Sequence, residues 1–69
     1  MDRDAVFSSN IVSAGYDPAS ETLELEFKDG AIYQYYNVSA YLYEQFRAAP
    51  SKGQFFHANI RNAVAFSRV

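Results

Sequence analysis

Within residues 21–28 polar and apolar positions alternate without a break from Thr22 onward, with Leu23, Leu25 and Phe27 on one side and Thr22, Glu24, Glu26 and Lys28 on the other. A period of two places successive side chains on opposite faces of a strand, so this segment predicts a half-buried β-strand with a solvated charged face. Before it, Asn10 to Tyr16 is β-branched and aromatic and ends at Asp17-Pro18-Ala19-Ser20, a strand followed by a turn. After it, Asp29-Gly30 supplies residues tolerant of positive φ, and Ala31 to Asn37 returns as a tyrosine-rich third strand. Two hairpin registers compete. A two-residue type I′ turn sets Phe27 opposite Ile32 and leaves Tyr33 and Tyr35 beside Glu26 and Glu24. A three-residue loop, Lys28-Asp29-Gly30, pairs Phe27 with Ala31 and sets Leu25 and Leu23 against Tyr33 and Tyr35. The second is preferred because it keeps the Gln34 amide, which needs hydrogen-bond partners, out of the core.

From Val38 the period lengthens. Ser39 is a candidate N-cap, Val38 and Tyr43 fit a hydrophobic staple, and Leu42, Phe46 and Ala49 form an apolar stripe. Pro50 ends this helix. Ser51-Lys52-Gly53-Gln54 matches a capping box and starts a second short helix, reaching Ile60 or Arg61 with Phe56 and Ile60 inward. Residues 63–69 either fray or add a short final strand. The expected architecture is therefore α+β: a three-stranded antiparallel meander packed by two short C-terminal helices. Residues 1–7 are expected to be a flexible segment outside the fold, and 8–69 a single domain. Leu23, Leu25, Phe27, Leu42, Phe46, Phe56 and Ile60 are expected at the centre of the core.

Composition narrows the function. The chain has 69 residues, 17% of them aromatic, and no cysteine. No disulfide framework, thiolate metal site or cysteine nucleophile is available, and six Phe and six Tyr supply a core that must stabilise by packing alone. No apolar run approaches the roughly 20 residues of a membrane helix, and the acidic start is unlike a secretory leader, so a cytoplasmic location without membrane partners is expected. The net charge of −2 hides a division. All eight acids lie in residues 1–44, opposed only by Arg3 and Lys28, whereas residues 45–69 carry Arg47, Lys52, Arg61 and Arg68 and no acid.

Chemistry has few candidates. His57 is the single histidine, without a second to share a metal or an evident catalytic partner, and reads as an exposed helical residue. Glu24 and Glu26 read as a solvated strand face rather than a cation site, so no enzyme activity, metal or cofactor is expected. Ser51-Lys52-Gly53 combines a hydroxyl, an ammonium and free N–H groups at a helix start, where anions are attracted. A basic helical surface of Lys52, Arg61, Arg47, Ser51, Gly53 and His57, with Arg68 added if the tail folds back, would bind an anionic partner such as RNA. The competing reading is a protein-interaction or self-association module using the acidic strand face or exposed tyrosines.

Gly30, Tyr33-x-Tyr35, Val38, Tyr43, Ala49-Pro50-Ser51-Lys52-Gly53, Phe55-Phe56 and Ile60-Arg61, taken in this order, resemble the KTSC domain family over about residues 8–66. The resemblance implies a short bacterial or phage domain of unknown function, found also at the C-terminus of some lysyl-tRNA synthetases, a setting from which RNA binding has been suggested. It marks Tyr33, Tyr35, Ser51, Gly53, Phe56, Ile60 and Arg61 as motif positions, with Tyr33, Tyr35, Phe56 and Ile60 read as structural. His57 stands where the family more often has Asn.

Overall fold

The computed structural model describes residues 1–69. Strands β1 (Asp4–Ala5), β2 (Ile11–Asp17), β3 (Thr22–Phe27) and β4 (Ile32–Tyr35) precede helices α1 (Ala40–Ala48) and α2 (Lys52–Asn59), and β5 (Phe66–Arg68) closes the chain. The strands form one antiparallel sheet in the order β1-β2-β3-β4-β5. The α+β class and the central meander are as expected, and of the two alternatives for the tail the chain takes the short final strand, but a fifth strand at the N-terminus was not expected. Both additions come from the ends: Asp4–Ala5, in the segment expected to lie outside the fold, pairs with β2, and the tail pairs with β4. The tail is held by backbone bonds from Tyr36 N–H to the Ala65 carbonyl and from Val69 N–H to the Ile32 carbonyl, at 2.9 and 2.8 Å.

The β3–β4 hairpin takes the three-residue loop. Phe27 N–H donates to the Ala31 carbonyl and Gly30 N–H to the Phe27 carbonyl, both at 2.9 Å, while Gly30 adopts φ +90°. Such a φ carries no Cβ penalty at glycine, and it brings Leu25 opposite Tyr33 and Leu23 opposite Tyr35. Asn37, at φ +59°, then turns the chain into α1, a conformation asparagine tolerates better than most residues. The Ser39 and Ser51 hydroxyls accept the N–H groups of Leu42 and Gln54 at 3.1 and 3.3 Å, capping α1 and α2, although Gln54 does not return the second bond of a capping box.

Both helices cover one face of the sheet. Ile11, Leu23, Leu25, Val38, Phe46 and Ile60 are fully buried between the layers. Phe27 and Leu42, expected at the centre, are only half-buried at its margin, and Ile11, Val38 and Tyr35 belong to the core in their stead. Ile11 enters because the β2–β3 register shifts between Ile11 and Ser13. The irregularity leaves Val12 exposed and returns Ala14 to the core face. Tyr16 stacks on Tyr43 at 4.3 Å and donates its hydroxyl to the Val38 carbonyl, fastening β2 to the start of α1.

The opposite face is not the solvated surface that its alternation predicts. Glu24 is 6% exposed. The Arg3 guanidinium, delivered by the N-terminal segment, pairs with the Glu24 carboxylate, lies 3.7 Å from Glu26, and donates from Nε to Ser13 Oγ at 2.9 Å. Gln34 Nε2 donates to Glu24 Oε1 at 2.9 Å, and the Ser13 hydroxyl to Glu26 Oε1 at 3.0 Å. Burial raises the Glu24 pKa, but the Gln34 and Arg3 hydrogen bonds, the Arg3 charge and the N-terminal ammonium outweigh it and hold the group below its usual range. A depressed carboxylate pKa stabilises the fold above the unfolded value, about 4.3, and that contribution is lost as pH falls through the folded value. Urea unfolding across pH 2–6 is therefore expected to show a steeper acid loss for the parent chain than for Glu24→Gln. Parallel profiles would mean that Glu24 carries none of it.

Candidate functional site

On α2, Gly53, Phe56 and His57 share one side by their three- and four-residue spacing, and Arg61 continues it past the helix end. This side opens onto a cleft of about 680 Å³, within the roughly 300–1,000 Å³ of small-ligand sites. The hairpin residues Lys28 and Asp29, with Asn10 and Asn62, also line it. Its floor is aromatic: Phe27, Tyr33, Tyr35, Phe56 and Phe66. The rings meet edge to face, Tyr35 on Phe56 at 5.0 Å and Tyr33 on Phe66 at 6.0 Å, a preferred aromatic geometry. Phe66 remains 56% exposed.

Polar groups are placed around that floor. Arg61 Nη1 lies 3.2 Å from His57 Nδ1, within reach for the guanidinium, which only donates, to hydrogen-bond the ring. His57 thus has an arginine, not a carboxylate, as its partner. Arg68 sits over the Tyr33 ring with Cζ 5.9 Å from the centroid, a cation–π contact. Burial, reinforced by Tyr33 and opposed by Arg61, pushes the Tyr35 phenol up to about 12, so it stays protonated throughout the neutral range. The hydroxyls of Tyr16, Tyr36 and Tyr41 are engaged by other groups of the chain; those of Tyr33 and Tyr35, which line the cleft, and of Tyr43, which does not, are free.

The basic surface expected from the sequence is divided. Gly53, His57 and Arg61 line the cleft, whereas Arg47 and Lys52 belong to a smaller hollow of about 200 Å³ beside Asp4 and Tyr43. There Arg47 pairs with Glu44 at 3.1 Å and covers the Tyr43 ring at 5.9 Å, and Lys52 Nζ donates to the Ala49 carbonyl at 3.4 Å. Ser51 is exposed and serves α2 as its cap. Of the motif positions, Tyr35, Phe56 and Ile60 are core and Tyr33 is half-buried floor. Lys28, Asp29, Asn62 and Phe66 were not anticipated at the site. The pair Lys28-Asp29 reads locally as turn chemistry, and the brief alternation Phe66-Ser67-Arg68 is the one sequence signal that the tail returns to the sheet. No helix is long and apolar enough to cross a membrane.

Comparison with known proteins gives a consistent picture. The KTSC domain model matches residues 7–66. A lysine–tRNA ligase of Nostoc sp. is 41% identical over 54 residues, which are 78% of this chain and 10% of that protein. A protein of Tsukamurella paurometabola is 43% identical over 56 residues, covering 81% of this chain and 84% of its own length. The chain spans about a tenth of the ligases it matches but most of the Tsukamurella protein. The crystal structure of a KTSC domain protein from Yersinia pestis superposes with a TM-score of 0.95 at 37% identity, covering 99% of this chain and 96% of that one.

Proposed function

Because the chain belongs to the KTSC domain family, whose members include both a small protein of similar length and a segment of lysine–tRNA ligases, we propose that it is a non-enzymatic cytoplasmic binding module taking single-stranded RNA in the aromatic cleft. One observation carries the reading: Tyr33 and Phe66 line one cleft with Lys28 and Arg61, and Arg68, outside that lining, sits over the Tyr33 ring. Unpaired bases stack on aromatic faces at about 1–3 kcal/mol each, and cations beside such a platform hold the phosphates. Gly53 lets the loop before β2 approach α2 closely, with Ser8 Oγ only 3.2 Å from where its Cβ would stand. The setting in proteins named as tRNA ligases favours RNA over other polyanions. Within the predicted patch this assigns RNA binding to Arg61, His57 and Gly53 and removes it from Arg47 and Lys52, whose charges face the other hollow.

Fluorescence anisotropy with short unstructured RNA tests this. Arg61→Ala with Arg68→Ala is expected to weaken binding about tenfold or more and to flatten the dependence on salt, by about 0.7 in log–log slope for each phosphate no longer neutralised. Phe66→Ala should weaken binding while leaving that slope unchanged. Arg47→Ala with Lys52→Ala should do neither. Absence of binding at low salt, or a loss confined to the Arg47 and Lys52 variant, overturns the assignment; the former would leave a protein partner as the better reading.

A further inference from the structure

Asp29 is the one acid lining an otherwise basic cleft. Its Oδ1 accepts the Ala31 N–H at 3.0 Å, which completes the hairpin turn and orients the carboxylate. Asparagine or serine would supply the same turn bond, so the turn accounts for the shape of this side chain and not for its charge. No lysine or arginine of the chain forms an ion pair with it. An unpaired carboxylate lining the same cleft as Lys28 and Arg61 opposes the binding of phosphate there unless it meets a donor on the ligand. Among the four RNA bases only guanine presents two adjacent N–H donors, N1–H and the N2 amino group, in the spacing a carboxylate accepts side by side. Adenine and cytosine set a single amino group beside an acceptor, and uracil sets its one N–H between two carbonyls.

Resting on the RNA reading above, we propose that the cleft selects an unpaired guanine, its base stacked on the Tyr33 and Phe66 floor, its N1–H and N2–H bonded to the Asp29 carboxylate, and its flanking phosphates held by Arg61 and Arg68. Proteins read single-stranded RNA in this manner, by stacking splayed bases and bonding their Watson–Crick edges. The hydrogen bond that Asp29 already makes uses one of its roughly four acceptor sites, leaving Oδ2 and the rest for the base.

The test uses uridine-rich heptamers with a single central G, A, C, U or inosine, bound by the full chain at one fixed salt concentration. Guanine should be preferred by about tenfold or more, as a good bidentate pairing implies. Inosine, which lacks the N2 amino group, should fall between guanine and the others. In Asp29→Asn the turn bond persists and one negative charge is gone, so the guanine heptamer should bind more weakly and the A, C and U heptamers more tightly than to the parent. Equal shifts for all five, or no preference in the parent, overturn the guanine assignment while leaving the RNA reading intact. No binding of any heptamer overturns both.

Discussion

A Tyr35→Ala chain is expected to be largely unfolded under conditions where the parent is folded. Tyr35 is 5% exposed, faces Leu23 across the sheet, and packs on Phe56 at 5.0 Å and Phe66 at 5.7 Å. Truncating a buried aromatic costs about 3–5 kcal/mol, as much as a single core of this size commonly yields. Tyr35→Phe keeps the ring and loses a hydroxyl that bonds to no other group of the chain, so it should remain within about 1 kcal/mol of the parent. Tyr33→Ala, at a half-buried position, should fall between them. Thermal and urea unfolding followed by circular dichroism separate these cases. A cooperative Tyr35→Ala melt within a few degrees of the parent would mean that the ring does not hold the layers together.

Gly15→Val should detach the N-terminal strand. A Cβ at Gly15 would lie 2.2 Å from the Asp2 carbonyl oxygen and 3.1 Å from Arg3 Cγ, and backbone cannot yield to that as a flexible side-chain tip can. Displacing residues 2–5 breaks the β1–β2 pairing and withdraws Arg3 from Glu24. Removing one partner of a buried ion pair costs about 3–5 kcal/mol, but here the departing strand also readmits water to Glu24, so about 2–3 kcal/mol is expected. For a domain of this size that is a fall in Tm of roughly 10–20 °C. Deleting residues 1–5 should cost about the same, and combining the deletion with Gly15→Val should add little, because both remove the same interactions. Additive losses would show that Gly15 acts through something other than this strand.

These two variants probe opposite faces of one sheet, and the faces differed in how well the sequence revealed them. Leu23, Leu25 and Tyr35 were legible because alternation assigns a face, and the polarity of Gln34 together with Gly30 selects the register. Both are decided within one hairpin. Glu24 was misjudged because its partner Arg3 lies 21 residues away, in a segment with no periodicity to mark it as part of the fold. The candidate site shows the same division. Lys52 and Gly53 are adjacent in the chain, yet a helix turns about 100° per residue, and they line different hollows. The Tyr36 and Ser67 hydroxyls, 31 residues apart, meet only once the tail has paired with β4.

The sequence by itself determined the central hairpin, both helices with their caps, and the aromatic composition of the core, and it narrowed the hairpin register to two, of which the structure takes the preferred one. These follow from dihedral preference, side-chain period and capping, which act over a few residues. Tertiary structure alone decided that Arg3 covers Glu24, that Phe66 and Arg68 pack against Tyr33, and that Arg61 rather than Lys52 lines the same cleft. Those outcomes depend on which distant segment covers each face, a matter of burial and charge pairing that no local pattern encodes.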